Sequence, residues 1–202
     1  MNTLKLENIQ FQYNAKKVLS DISFEMNSNQ IIGLFGDSGC GKTTLCKVLA
    51  GFIKNYEGNV SINNQKVSGE FNPIQLIYQH PEKVMNPRWN MERVLNESWI
   101  PPKEILNSFG IKREWFKRFP RELSGGELQR FSILRAINPK TKFIIADEIT
   151  TMVDAVTQVQ IWDAIINHCK NHDMGMLVVS HDKLLLKAIC ENIIYFNEIN
   201  NL

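Results

Sequence analysis

Nine consecutive residues, Gly36, Asp37, Ser38, Gly39, Cys40, Gly41, Lys42, Thr43 and Thr44, follow the spacing G-x-x-x-x-G-K-[ST]. The chemistry of such a run is phosphate binding. Its glycines let backbone N–H groups curl around phosphate oxygens, Lys42 supplies a point charge to the β- and γ-phosphates, and the Thr43 hydroxyl can ligate Mg²⁺. The apolar helix expected next, "LCKVLAGF", points the positive end of its dipole at the same anion. A glycine-rich turn without a ligand is the plainer alternative. The buried strand expected before the run and the helix after it supply the context that the motif requires.

A carboxylate must then hold the metal from a neighbouring strand end. Asp147 closes "FIIAD" and suits that role. Glu148 follows at once. Adjacent residues at a strand end point in different directions, so the two acids can divide the work. Asp147 would face the metal, and Glu148 would face an attacking water as general base or as its positioner. A helix-capping or surface acid is the other reading of Glu148.

"LSGGELQR" presents a second helix start suited to an anion. Ser124 caps the first turn and Glu127, three residues on, completes a capping box. Gly125 and Gly126 carry no side chain, so a ligand can approach their backbone closely. Capping alone accounts for Ser124 and Glu127. It accounts less well for the paired glycines, because glycine in a helix costs stability.

These groups need elements to hold them. "QIIGLFG" from Gln30, "KFIIADE" from Lys142 and "GMLVVSH" from Gly175 are apolar on consecutive positions, as in strands buried on both faces. Between the last two, "AVTQVQIWDAIINHC" predicts a helix burying Val156, Val159, Trp162, Ile166 and Cys169 on one stripe. Strand, helix, strand in that order implies a parallel sheet with crossover helices. Leu4, Leu6, Phe11 and Tyr13 alternate with polar residues, which predicts short strands near the N-terminus. "GNVSINNQKV" predicts a hairpin turning at Asn63-Asn64, with Val60 and Ile62 on one face. Roughly residues 85–120 break the rhythm with Pro87, Pro101, Pro102 and Pro120 and three of the four tryptophans. They predict a small helical subdomain inserted into the core. The fold class is therefore α/β: a phosphate-loop core with a parallel sheet, an N-terminal antiparallel β-subdomain and an inserted helical subdomain.

Composition narrows the field. A chain of 202 residues with 44% hydrophobic and 22% charged residues can bury a real core. Its 23 basic and 21 acidic residues leave +2, too balanced to argue for nucleic acid or an acidic membrane surface. Apolar runs such as "FIIA" and "MLVV" fall far short of a bilayer span, and "MNTLKLENIQ" has no signal core. The expected compartment is the cytosol, with any membrane association made through a partner. Cys40, Cys46, Cys169 and Cys190 form no CxxC pair and read as reduced thiols. His168, Cys169 and His172 offer a metal-like spacing without an evident third ligand position, and a polar helix end is the alternative.

"GDSGCGKT", "LSGGELQR" and "FIIADE", in this order, resemble the nucleotide-binding subunit of an ATP-binding cassette (ABC) transporter over nearly the whole chain. The resemblance implies one ABC-type nucleotide-binding domain, residues 1–202, that hydrolyses ATP with Mg²⁺. It also implies two such domains packed head to tail. ATP then lies between the phosphate loop of one and Ser124, Gly125, Gly126 and Glu127 of the other, which explains two phosphate-facing helix starts.

Single positions carry over in the same way. Tyr13 resembles the aromatic that stacks on adenine, with a strand-face tyrosine as the alternative. Gln79, in "LIYQHP", resembles the glutamine that senses Mg²⁺ and the attacking water and links the core to the helical lobe. Asp154 resembles the aspartate that crosses the dimer interface. His181, in "VVSHD", resembles the switch histidine at the γ-phosphate, and it follows a strand end where ligands of α/β sheets gather. Two positions depart from the family pattern. Ile149 stands where proline usually follows the catalytic glutamate, and Thr151-Met152-Val153-Asp154 stands for Ser-Ala-Leu-Asp.

"YQHPEKVMNPRW" and "DAVTQVQIWDAI" resemble the dipeptide, oligopeptide and nickel importer subfamily. That likeness implies a peripheral subunit on the cytoplasmic face of the cell membrane, powering import of a peptide, nickel or a metal–chelator complex. Its partners would be an identical or different second ATPase subunit, transmembrane permease subunits and, indirectly, an extracytoplasmic solute-binding protein, with no nucleic acid. An exporter ATPase and an ATP-gated regulatory scaffold with little turnover are the alternatives. Trp89 and Trp99 are candidate exposed contacts of the lobe, with lobe core as the other reading.

Overall fold

The computed structural model describes residues 1–202. In chain order the elements are β1 (Thr3–Tyr13), β2 (Lys16–Asn27), β3 (Ile31–Phe35), α1 (Lys42–Leu49), β4 (Glu57–Ile62), β5 (Gln65–Lys66), β6 (Ile74–Ile77), α2 (Met91–Asn96), α3 (Lys103–Ser108), α4 (Gly125–Ala136), β7 (Phe143–Asp147), α5 (Ala155–Asn171), β8 (Gly175–Ser180), α6 (Lys183–Ile189), β9 (Asn192–Tyr195) and α7 (Phe196–Ile199). Single 3-10 turns lie at Pro81–Lys83, Arg113–Lys117 and Pro120–Glu122.

Two sheets result. The first has the order β2-β1-β4-β5. Its β1 is one long strand of 11 residues, not the short strands that alternation suggested. Register shifts near Asn8 break its period while the ladder to β2 continues on both sides. The β4–β5 hairpin turns at Asn63 and Asn64 with φ of 54° and 61°, the left-handed pair that a two-residue turn needs. The second sheet has the order β6-β7-β8-β3-β9. β3 runs parallel to both β8 and β9, and β7 runs parallel to β8. Every residue of β7 and β8 is buried, which is why their apolar runs are continuous. Truncating one such side chain, as in Ile145→Ala, costs about 2–5 kcal/mol.

The chain forms two compact units, one of residues 1–76, 140–147 and 169–202, the other of residues 77–139 and 148–168. In the first, Leu4, Leu6 and Met26 of the antiparallel sheet share a core with Leu34, Ile145 and Val179 of the parallel sheet, and α1 adds Leu45 and Leu49. In the second, Phe131 of α4 packs edge-on against Phe116 at 5.8 Å and beside Trp115 at 6.5 Å. The Arg130 guanidinium fastens α4 to the Phe109 carbonyl at 2.9 Å and to Gln160 at 2.7 Å.

Two expectations need correction. Helix α5 buries Ile161, Trp162, Ile165, His168 and Cys169, while Val156 and Val159 are 68% and 59% exposed. Trp162 and Cys169 lie on both the expected stripe and the observed one. The buried stripe runs through Ile161 and Ile165, which leaves the first turn with Val156 and Val159 outside, while the Trp162 indole donates to Thr150 Oγ1 at 3.1 Å. Trp89 and Trp99 are half-buried, not exposed. The Trp99 indole N–H donates to the Leu134 carbonyl at 2.7 Å, and the Arg93 guanidinium covers the Trp89 ring at 4.1 Å.

Candidate functional site

In the first unit, β3 delivers the phosphate-binding run and α1 carries it onward. Gly39 and Gly41 have φ of 82° and 118°, a region nearly closed to residues with a Cβ. A Cβ built on Gly39 meets nothing within 4 Å, so the loop's outer arc is open to a ligand. Helix α1 has no side-chain cap at Gly41. Its first amides therefore depend on solvent or an anion. Lys42 is 5% exposed, and its ammonium donates to the carbonyls of Gly36 and Asp37, both at 2.7 Å. Those partners are dipoles, not full negative charges. A buried cation held only by dipoles suits a phosphate.

Three neighbouring parallel strands bring the remaining groups of this unit to one edge. β7 ends on Asp147, β3 leads into the loop, and β8 between them leads into His181. Ligands of open α/β sheets bind at such carboxyl ends. Asp147 is buried and α1, which carries Thr43 and Thr44, packs against its strand. An oxygen donor set of carboxylate and hydroxyl suits Mg²⁺. Below them the Cys46 thiol is pushed well above its ordinary range by burial and secondarily by the Asp147 charge. His181 is exposed and stands before Asp182, whose carboxylate caps α6 by accepting from the amides of Leu184 (2.9 Å) and Leu185 (3.1 Å). Tyr13, at the end of β1, is 48% exposed, and its ring meets Phe11 edge-on at 4.7 Å. Tyr13 thus keeps exposed aromatic surface at the end of the strand.

In the second unit, Gln79 and Glu148 meet. Gln79 Nε2 donates to Glu148 Oε2 and to Thr151 Oγ1, both at 3.1 Å. The Thr151 hydroxyl in turn donates to the Glu148 carbonyl at 3.1 Å. Glu148 has φ of 51°, a strained conformation for a residue with a side chain. Such a residue persists only when its surroundings over-determine it, at a cost of about 1–3 kcal/mol. Thr151 is the group that sequence reasoning passed over. Its signal is a hydroxyl three residues after the acid, the spacing of a side-chain-closed turn.

The Ser124–Glu127 capping box is present. Ser124 Oγ accepts from the Glu127 amide at 3.3 Å, and Glu127 Oε2 accepts from the Ser124 amide at 2.8 Å. It engages neither the Gly125 nor the Gly126 amide. Gly126 also has a reason inside the chain: a Cβ there would lie 2.6 Å from Thr157 Cγ2. Gly125 has less, since its Cβ would rest 3.4 Å from the Met152 carbonyl. Asp154 likewise has an internal task. Its carboxylate accepts from the Thr157 amide at 3.0 Å at the start of α5, and its hydrogen bonds to Thr157 hold its pKa below the usual range.

Fold and site together define a phosphate-loop nucleotide-binding α/β protein. Within that class the chain belongs to the ABC transporter family, whose model matches residues 19–151. It is accordingly an ATP-binding, ATP-hydrolysing chain. Among curated proteins it is 28% identical to the nickel import system ATP-binding protein NikE of Staphylococcus aureus strain bovine RF122, over 96% of this chain and 87% of that one. It is 27% identical, with the same coverage, to the NikE of strain N315. Among solved structures, CbiO1 of Clostridium perfringens, part of the ABC transporter complex CbiONQ, superposes with a TM-score of 0.78 at 19% identity. That alignment covers 95% of this chain and 83% of CbiO1. At that identity the likeness speaks for the fold alone.

Proposed function

We propose that this chain hydrolyses ATP to power import of nickel or another solute through a membrane complex, as one of two ATPase subunits. The observation that carries the reading is the join of Gln79 to Glu148 at 3.1 Å in a chain that also keeps Lys42 in an open phosphate loop. Tyr13 stacks on adenine, and the backbone of Gly36 to Gly41 and the Lys42 ammonium hold the phosphates. Thr43 and Asp147 would hold Mg²⁺, assisted by Gln79. When bound, that ion would supply positive charge to offset that of the phosphates.

Glu148 takes the proton from the attacking water, and Gln79 and His181 orient it and the γ-phosphate. Ser124, Gly125, Gly126 and Glu127 present a capped helix start to the γ-phosphate of the partner subunit's ATP, with Asp154 at the shared interface. No helix of the chain is long and apolar enough to cross a membrane. Attachment to the cytoplasmic face through permease subunits is therefore part of the proposal. A regulatory scaffold with little turnover fits less well, because Lys42 and Glu148 are both in place.

The test is transport. The chain, co-purified with its membrane companions and placed in vesicles, should drive ATP-dependent nickel accumulation on the side opposite the ATPase. Transport of solute in the other direction would make it an exporter. ATP hydrolysis uncoupled from any membrane companion would remove the transport reading.

A further inference from the structure

The phosphate loop has a back wall built from two ends of the chain. A Cβ placed on Gly36 would lie 3.0 Å from Phe196 Cβ, and one placed on Gly41 would lie 3.3 Å from Phe196 Cζ. Phe196 is 1% exposed. It supports the first and the last glycine of the loop from behind. The other half of the wall is Val18 of β2, whose Cγ1 and carbonyl oxygen both lie 3.1 Å from the same Cβ position on Gly41. On the inner side Gly36 thus sits tightly against Phe196, and Gly41 against both Phe196 and Val18, whatever binds outside.

One residue joins the two halves. Asn200, 8% exposed, follows the short helix that begins at Phe196. Its Oδ1 accepts from the Ser20 amide at 2.8 Å, and its Nδ2 donates to the Val18 carbonyl at 3.2 Å. The next amide, Asn201 N–H, donates to the Ser20 carbonyl at 3.0 Å. The Val18 carbonyl that Asn200 holds is the same atom that abuts Gly41. Asn200 therefore fixes the separation between Val18 and Phe196, the gap in which the inner arc of the loop sits.

We infer that the segment Phe196–Asn201 is a strap that sets the curvature of the phosphate loop, and that Asn200 and Phe196 are positioning residues for nucleotide binding. The inference rests on the phosphate-loop reading of Gly36–Thr44. The strap touches only the inner side of the loop and carries none of the groups assigned to water attack. Loosening it should weaken the cradle while sparing the chemical step. By reciprocity, filling the cradle should tighten the strap.

The experiment is a comparison of the full chain with Asn200→Ala, Asn200→Asp and Phe196→Leu. Asn200→Asp keeps the acceptor for Ser20 but loses the donor to Val18. As a control for general destabilisation, Met26→Ala removes a buried side chain of β2 that makes no approach to the loop. The probe is a non-hydrolysable ATP analogue with Mg²⁺, followed by steady-state turnover. Asn200→Ala should weaken analogue binding about tenfold and raise the KM for ATP alike, with kcat within about twofold. Asn200→Asp should fall between it and wild type. Met26→Ala should lower Tm without moving KM.

Hydrogen exchange on the unaltered chain supplies an arm independent of any variant: the analogue should slow exchange at Ser20 and Asn201. Wild-type binding that all three variants match, or exchange at those amides indifferent to the analogue, overturns the strap alone. A wild-type chain that binds no nucleotide overturns the phosphate-loop reading and the strap with it.

Discussion

Gln79 and Glu148, 69 positions apart in the chain, meet side chain to side chain, with Gln79 Nε2 donating to Glu148 Oε2 across 3.1 Å. An amide that donates to a carboxylate holds it in place and occupies one of its lone pairs. Glu148 can accept a proton from water only through its remaining lone pairs or after Gln79 turns away. The residue proposed to sense Mg²⁺ and the attacking water is thus in contact with the residue proposed to take that water's proton.

Replacement of Glu148 by glutamine preserves shape and can still accept a hydrogen bond from Gln79, but it removes the base. Nucleotide affinity should stay within about threefold while turnover falls about 100-fold or more, the scale of a lost general base. Equilibrium binding and phosphate release measure the two halves. Wild-type turnover in this variant would remove Glu148 from the chemistry.

The Thr151 hydroxyl bridges Gln79 and the Glu148 backbone. Thr151→Val keeps the volume and deletes the bridge, so turnover should drop roughly tenfold with nucleotide affinity unchanged, about the worth of one to two hydrogen bonds. Thr151→Ser should restore it. A serine variant no better than valine would assign the loss to packing instead.

Gly126 separates two explanations of the glycine pair. Gly126→Ala should destabilise the chain, because the new Cβ meets Thr157 Cγ2 at 2.6 Å. The double variant Gly126→Ala/Thr157→Ala removes that collision and should recover Tm. If Gly126 also admits a γ-phosphate, turnover stays at least about tenfold down in the double variant. Full recovery of turnover along with Tm would leave Gly126 a purely internal packing residue.

Specific activity of the purified chain should rise with its own concentration, as a reaction centre completed by a second copy requires. A profile flat across about two decades of concentration would argue for a complete site in each chain or for an obligatory different partner. Adding the permease-associated companion separates those outcomes.

Thiol chemistry offers an orthogonal check. Burial pushes the Cys169 and Cys190 thiols up to about 12, and Cys46 well above its ordinary range. Raised values mean that the reactive thiolate is scarce at pH 8, about 10⁻⁴ of each thiol at a pKa near 12. Alkylation at pH 8 should reach half-exposed Cys40 first, and ATP should slow it. Labelling of Cys169 or Cys190 as fast as that of Cys40 would contradict the packing around them.

Much of the molecule follows from rules that act over a few residues. Continuous apolar runs at Ile31, Phe143 and Gly175 can be satisfied only by strands covered on both faces, and parallel pairing follows from the helices between them. The Ser124–Glu127 box closes within four residues, and Gly39 and Gly41 declare a loop that a Cβ would hinder. Asp147 and Glu148 are legible as candidates because they end such a strand. Other features need partners that the local sequence does not name. Which apolar face α5 buries depends on the neighbours it packs against, and so Ile161 and Ile165 are buried while Val156 and Val159 lie exposed. Gln79 finds Thr151 across 72 positions, and Asn200 finds Ser20 across 180. Periodicity reports that a side chain wants burial or a partner. Only the closed chain decides which one it gets, because steric fit and hydrogen-bond geometry between distant segments exist only once those segments have been brought together.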